Sequence, residues 1–255
     1  MHTVTRRTVL VALAASAGAR AQQPGRLTIA AAADLRFALD EALAPLRAAQ
    51  PGATIDVVYG SSGKLTTQIR NGAPFDVFLS ADIAFARQLH DTGLTTAAPR
   101  LYAIGRLAAW SASAELGRLP LDVLVRDARG QRFAIANPEH APYGTRAMEV
   151  LRARGLELDV KPKLVLGDNV SQAAVFIETG AAQAGLVAHS LLLAPALAGK
   201  FALTLMPPAW HSPLEQALVL TRRAAAHPLA AAFVQHIEQP ASRALLRRYG
   251  FGLPA

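Results

Sequence analysis

The sequence predicts an α/β protein of two lobes around a cleft, on three observations. Apolar runs of four to six residues alternate with helical patterns along the chain, which is how α/β proteins with mainly parallel sheet are written. Two breaks, at Tyr102-Ala103-Ile104-Gly105-Arg106 and near Pro207-Pro208, divide the chain into a middle part and two flanks. Four small-residue segments also recur where a strand should hand over to a helix. They are Ala31-Ala32-Ala33-Asp34, Gly60-Ser61-Ser62-Gly63, Ala141-Pro142-Tyr143-Gly144 and Asp168-Asn169-Val170-Ser171.

Taken in order, Leu27–Ala31 reads as the first strand. Asp34–Ala49 follows as a helix with Leu35, Ala38, Leu39, Ala42, Leu43 and Leu46 on one apolar stripe. Pro51-Gly52 ends it. Thr54–Tyr59, Val77–Ser80, Leu101–Trp110, Phe133–Ala136, Lys163–Leu166, Ala184–Ala188 and Leu214–Leu220 read as the remaining strands. Ser62–Asn71, Asp82–Asp91, Tyr143–Arg154, Val170–Thr179, Pro228–Glu238 and Pro240–Tyr249 read as helices. If both breaks are crossover strands, residues 22–104 together with 208–255 form lobe 1, and residues 105–207 form lobe 2. A cleft between lobes is a common place for a small-ligand site.

The N-terminus carries an address. Thr5-Arg6-Arg7-Thr8-Val9-Leu10 is a twin-arginine pattern, and the apolar run Val11–Ala19 follows it. Ala19-Arg20-Ala21 fits the small-x-small cleavage rule. The run is about half the ~20 residues of a membrane span. Residues 1–21 are therefore read as a signal peptide, Gln22 as the new N-terminus and the periplasm as the destination. Formal net charge falls from +8 to +5 on loss of Arg6, Arg7 and Arg20. The rest is mostly scattered arginine without the aromatic–basic interleaving of single-strand binders, so no nucleic-acid partner is expected. There is no cysteine, which excludes disulfides and thiolate metal sites. The seven histidines show no metal-ligand spacing and no dinucleotide fingerprint follows the first strand.

Each helix start offers unpaired backbone N–H groups and a positive dipole end. Several aimed at one cleft make a cage that attracts anions without carrying charge. Tyr59-Gly60-Ser61-Ser62-Gly63-Lys64 is not a P-loop, because Val58 and Leu65 stand where Gly and Ser or Thr are needed. It is not a nucleophile elbow either, because Lys64 stands where a Gly is needed. Its plain reading is an N-cap serine. Glu139-His140 reads as solvent-facing loop polarity, and Asp168 or Asn169 as a helix cap that frees the Val170 N–H.

Together, Ala32-Ala33-Asp34-Leu35, Tyr59-Gly60-Ser61-Ser62-Gly63 and the block Gly72–Asp82 resemble the periplasmic molybdate-binding proteins of ABC transporters. Ala136–Gly144, Asp168–Ala173 and the tail Leu246–Phe251 extend the resemblance over nearly all of the mature chain. It implies a type II periplasmic-binding fold that closes on one tetrahedral oxyanion. By the same resemblance, the ligand contacts fall on Ala33, Asp34, Ser62, Tyr143 and Val170. The protein would touch oxyanion oxygens and never the metal, need no cofactor, act as a monomer and deliver molybdate or tungstate to a membrane permease. Discrimination from sulfate would rest on cavity size.

Two positions depart from the family pattern. Ala188 stands where one branch has a ligand-contacting tyrosine, and Tyr143 is expected to supply that hydroxyl. Asp34 stands where many relatives have a donor, whereas an ionised Asp only accepts. Its side chain is expected to turn away and cap its own helix near Arg36 or Phe37, its backbone N–H still facing the ligand; the alternative is that the carboxylate accepts a proton-bearing ligand, which would favour phosphate or a phosphonate. The competing readings are a receptor for sulfate or phosphate, and an exported hydrolase using Ser62, His140 and one of several Asp residues.

Overall fold

The first strand, buried on both faces, sets the layers of the fold. The computed structural model describes residues 25–127, 129, 131–198 and 202–254; the segment 1–21 read as a signal peptide and Gln22 lie outside them. Strand β1 (Arg26–Ala32) sends Leu27, Ile29 and Ala31 into one core and Ala30 into another, as the period-two geometry of a strand requires. A 3-10 turn (Ala33–Leu35) leads into α1 (Arg36–Ala49). The stripe from Leu35 to Leu46 is buried in full. The α-helix itself begins two residues later than the sequence predicts, because no side chain caps its start and the chain enters through the tighter turn.

In chain order there follow β2 (Thr54–Gly60), α2 (Ser62–Arg70), β3 (Val77–Ser80), α3 (Ile83–Asp91) and β4 (Arg100–Gly105). Next come β5 (Leu107–Trp110), α4 (Leu121–Arg126), β6 (Phe133–Ala136), α5 (Pro142–Ala153), α6 (Glu157–Val160), β7 (Leu164–Gly167), α7 (Val170–Glu178), β8 (Ala184–Ala188), α8 (His189–Leu192) and β9 (Leu203–Leu205). The chain ends through β10 (Leu214–Leu220), α9 (Pro228–Glu238) and α10 (Pro240–Arg248).

The strands form two five-stranded sheets, ordered β2-β1-β3-β10-β4 and β7-β6-β8-β5-β9. The stretch Leu101–Trp110, read as one strand, is two: β4 in the first sheet and β5 in the second, with Arg106 alone between them. The second passage between sheets runs from β9 through Pro207-Pro208 to β10.

The sheets are mixed rather than mainly parallel. Strands β1, β2 and β3 pair in parallel, as do β6, β7 and β8, but β10 and β5 pair antiparallel to their neighbours. The cause is the crossing itself. A strand that enters a sheet from the cleft runs opposite to strands that end at the cleft. The C-terminal ends of β1, β2, β6 and β7 therefore lead straight into the loops and helix starts singled out above, as in open α/β sheets generally.

The block Gly72–Asp82 has a structural role. Buried Asp76 accepts from the Thr28 N–H at 2.8 Å and from Arg223 at 3.0 Å, which fixes the entry of β3 beside β1. Asp82 caps α3 by accepting from the Ala84 N–H at 2.9 Å. The tail is pinned by reciprocal backbone bonds between Ile104 and Gly252 of 2.7 and 2.8 Å.

Candidate functional site

Five residues brought from four strand ends line one small cavity between the sheets: Ala33, Asp34, Ser62, Tyr143 and Val170. About 190 Å³ of space lies between its atoms, part of it open to solvent, and no lysine or arginine lines it. Ser62 and Val170 are the first residues of α2 and α7, and Tyr143 is the second of α5. N–H groups at such positions have no partner within their own helix. Asn169 is the cap of α7, accepting from the Gln172 N–H at 3.0 Å. The alternative cap, Asp168, is instead ion-paired to Lys64 at 2.8 Å.

Ser62 is not an N-cap. The cap position of α2 is Ser61, whose side chain makes no capping bond. Ser62 Oγ instead accepts from the Ala81 N–H at 3.0 Å, fully buried. Since that bond uses a lone pair, the Ser62 hydroxyl proton is left to donate to an anion. Ser61 Oγ lies 2.9 Å from His140 Nδ1. The hydrolase trio is therefore not assembled: the histidine meets Ser61, while Ser62 bonds to the backbone of Ala81. His140 is also not the solvent-facing residue the sequence suggests. Its carbonyl accepts from the Gly63 N–H at 2.9 Å, and burial and Lys64 pull its pKa below the ordinary histidine value.

Asp34 corrects the sequence reading most. Its side chain caps no helix. It points into a buried polar network in which Oδ2 accepts from the Tyr143 hydroxyl at 3.0 Å and from Gln216 Nε2. Tyr102 in turn donates to Gln216 Oε1 at 2.8 Å, and the Ser190 hydroxyl donates to the Asp34 carbonyl at 2.7 Å. Asp34 Oδ1 is buried without a partner. Burial pushes the Asp34 pKa up to about 6, against the lowering effect of the Gln216 and Tyr143 bonds. The same burial raises both tyrosines well above their usual value. Tyr143 thus spends its hydroxyl on Asp34, so the exchange expected for Ala188 leaves only its backbone N–H for a ligand.

Gln216 and Tyr102 were missed in the sequence. Their signal was a lone amide and a lone tyrosine inside apolar strands, at positions that prove buried. Further contacts join the halves. Arg146 of α5 bonds Asp82 at 2.7 Å and Glu149 at 3.0 Å. Wider depressions lie elsewhere, one between Thr96 and Gln235 and another between Glu41 and Arg248. Neither includes any of the helix starts that line the small cavity.

Among the described residues no cluster of His, Cys, Asp and Glu is set to hold a metal ion, and no helix is long and apolar enough to cross a membrane. A family model for bacterial extracellular solute-binding proteins matches residues 27–252. The molybdate-binding protein of Rhodobacter capsulatus is 34% identical over 201 residues, 78% of each chain. That of Azotobacter vinelandii is 33% identical over 246 residues, 96% of this chain and 97% of its own. The solved periplasmic molybdate-binding protein of A. vinelandii superposes with a TM-score of 0.82 at 31% identity, covering 90% of this chain and all of that one. The sulfate-binding protein SubI of Mycobacterium tuberculosis shares the fold alone, with a TM-score of 0.71 at 13% identity.

Proposed function

The chain belongs to the bacterial extracellular solute-binding proteins, and from that premise we propose that it is the molybdate receptor of an ABC transporter. It is a binding protein, not an enzyme. One observation carries the reading: helix-start N–H groups and the Ser62 hydroxyl, drawn from both sheets, line one cavity that holds no cationic side chain. Such a set binds an oxyanion through neutral donors and dipoles. The molybdate-binding relatives supply the identity of the anion.

Tungstate, of like charge and shape, is the second cargo. The receptor works as a monomer outside the cytoplasm, residues 1–21 being removed on export, and docks on a membrane permease. The contacts that join the halves make capture a matter of population shift. An anion that bonds donors on both halves favours the closed arrangement over the open one. Near the C-terminus the exposed cation Arg248 is tied to Glu41, which the Tyr249 hydroxyl also bonds.

The test is thermal unfolding of residues 22–255, refolded free of anion, with molybdate, tungstate, sulfate and phosphate in turn. Ligand at ~1,000 times its Kd adds about 4 kcal/mol, a rise of about 10 °C for a chain of this size. That rise with molybdate and tungstate supports the reading. A rise with sulfate or phosphate alone keeps the receptor and reassigns the cargo, and none with any anion removes the receptor.

A further inference from the structure

Asp34 is an unusual group to find at an anion site. It is 1% exposed, lines the cavity and keeps one carboxylate oxygen, Oδ1, buried with no partner. Both side-chain donors that reach it, from Tyr143 and Gln216, fall on the other oxygen. The nearby hydroxyls of Tyr102 and Ser190 are spent on Gln216 and on the Asp34 backbone carbonyl. Among the described residues no cation forms an ion pair with Asp34. A buried acceptor left in this way is costly, and Asp34 is a residue of the cavity lining, where a bound group could supply a donor. A fully deprotonated oxyanion has no hydrogen to give. Two bare negative groups in a dry cleft repel strongly.

Resting on the oxyanion-receptor reading, we propose that Asp34 makes a proton part of the ligand. The anion is held with one proton shared between one of its oxygens and Asp34 Oδ1, so the site selects by the basicity of the anion as well as its size. The proton comes from solvent, one per anion bound, and returns on release; no other bond forms or breaks. The arrangement follows the physics of two carboxylates that share one proton when like charges cannot both ionise side by side. Molybdate and tungstate are basic enough to share it. Sulfate, a weaker base than either, draws the shared proton poorly and is refused.

The groups that face Asp34 do not supply the proton or the counter-charge. Tyr143 of α5 and Tyr102 of β4 are held neutral by burial, and Gln216 of β10 does not titrate. Further out, His140 before α5 is held to Ser61 and its pKa is lowered by burial. His189 of α8 is lowered by burial too, and Lys64 of α2 is paired with Asp168. Asp34 itself takes up its proton near pH 6 before any anion arrives, and a neighbouring dianion raises that value further.

Titration calorimetry on residues 22–255 with micromolar molybdate tests this, run at pH 7.5 in buffers of different ionisation enthalpy and then from pH 6.5 to 8.5. Close to one proton is taken up per molybdate, and the Kd weakens by about tenfold per pH unit, the slope for one linked proton. In Asp34→Asn proton uptake vanishes, the Kd no longer varies with pH, and sulfate binds at least tenfold better than to the unaltered protein. Phosphate, which carries its own proton at pH 7.5, binds with no net uptake. Molybdate binding with no proton uptake and a pH-independent Kd overturns the shared proton while leaving the receptor standing. An undiminished pH slope in Asp34→Asn overturns it as well. Failure of every anion to bind the folded protein at any pH removes the receptor reading, and this inference with it.

Discussion

The Tyr143 hydroxyl donates to Asp34 Oδ2 at 3.0 Å, and that bond joins α5, which packs on the second sheet, to the turn that follows β1 of the first. Gln216 reinforces it from β10, the strand on which the chain returns to the first sheet. The polar network thus sits where both passages between sheets begin or end. Its geometry and the closure of the cleft are one problem. In Tyr143→Phe a buried acceptor loses a donor, at a cost of about 1–3 kcal/mol. Thermal unfolding should show the midpoint fall by roughly 2–4 °C for each kcal/mol lost, while Tyr59→Phe, altering an outer bond to Asp40, changes it less.

Stability should depend on Asp34 in a direction opposite to most carboxylates. Its folded pKa of about 6 stands above the ordinary 3.8, so between about pH 4 and 6 the folded state binds more protons than the unfolded one. Stability is therefore greatest below pH 4 as far as this group is concerned, and is lost as pH rises through 6. The loss is on the order of 3 kcal/mol. In Asp34→Asn the amide oxygen can take the bonds from Tyr143 and Gln216 without the charge. Its unfolding midpoint should exceed that of the unaltered chain at pH 7.5 and approach it only below pH 4. A variant less stable at both values would show that the carboxylate is not under strain from burial.

Much of the fold could be read from the sequence because its signals are local. The stripe from Leu35 to Leu46 and the buried runs Val77–Ser80 and Phe133–Ala136 needed only periodicity and apolar content. The parallel and antiparallel pairings did not, since they depend on where β5 and β10 enter their sheets. The short elements α4, α6, α8 and β9 carry too few residues to show a period. At the site, helix-start segments were visible because small residues and caps mark them. The orientation of Asp34 was not, because its partners lie 109 and 182 residues away in sequence. Local capping and acceptance of a ligand's proton were the roles the sequence offered, and neither involves Tyr143 or Gln216.

Gly105 stands at the end of β4, where the chain leaves the first sheet, and the network leaves it no room to grow. A Cβ there would meet the Tyr143 hydroxyl, lie 2.9 Å from Gln216 Nε2 and 3.1 Å from Leu214 Cβ. Tyr143 is 2% exposed and cannot retreat. Gly105→Ala should cost about 1–3 kcal/mol through overpacking and weaken molybdate binding by displacing the hydroxyl from Asp34. Unfolding curves and a binding titration on the same variant check both parts. An unchanged affinity would separate the network from the ligand.

Ser62 is the one side-chain hydroxyl among the five residues that remains free to donate into the cavity, its lone pair being taken by the Ala81 N–H. A hydrogen bond to a charged group contributes about 1.5–3 kcal/mol. Ser62→Ala should therefore bind molybdate roughly 10- to 100-fold more weakly, measured by calorimetry. Ser61→Ala, whose hydroxyl also belongs to the cavity lining but is engaged with His140, should stay within a few-fold.

The two ion pairs between the halves should differ in weight because they differ in burial. Lys64–Asp168 has side chains 46% and 68% exposed, and exposed pairs contribute about 0–1 kcal/mol. Arg146 is 13% exposed and Asp82 16%, and Arg146 holds Glu149 as well. Removing it strands two partly buried carboxylates, one of them the cap of α3. Arg146→Met should destabilise the closed arrangement by about 2 kcal/mol, following the scale for bonds to charged groups. Because affinity is reduced by the fraction of protein able to close, the same change should weaken molybdate binding by tenfold or more and speed its release. Lys64→Met should leave both within about twofold. Stopped-flow release measured on the two variants side by side decides the matter, since equal rates would mean that neither pair holds the cleft shut.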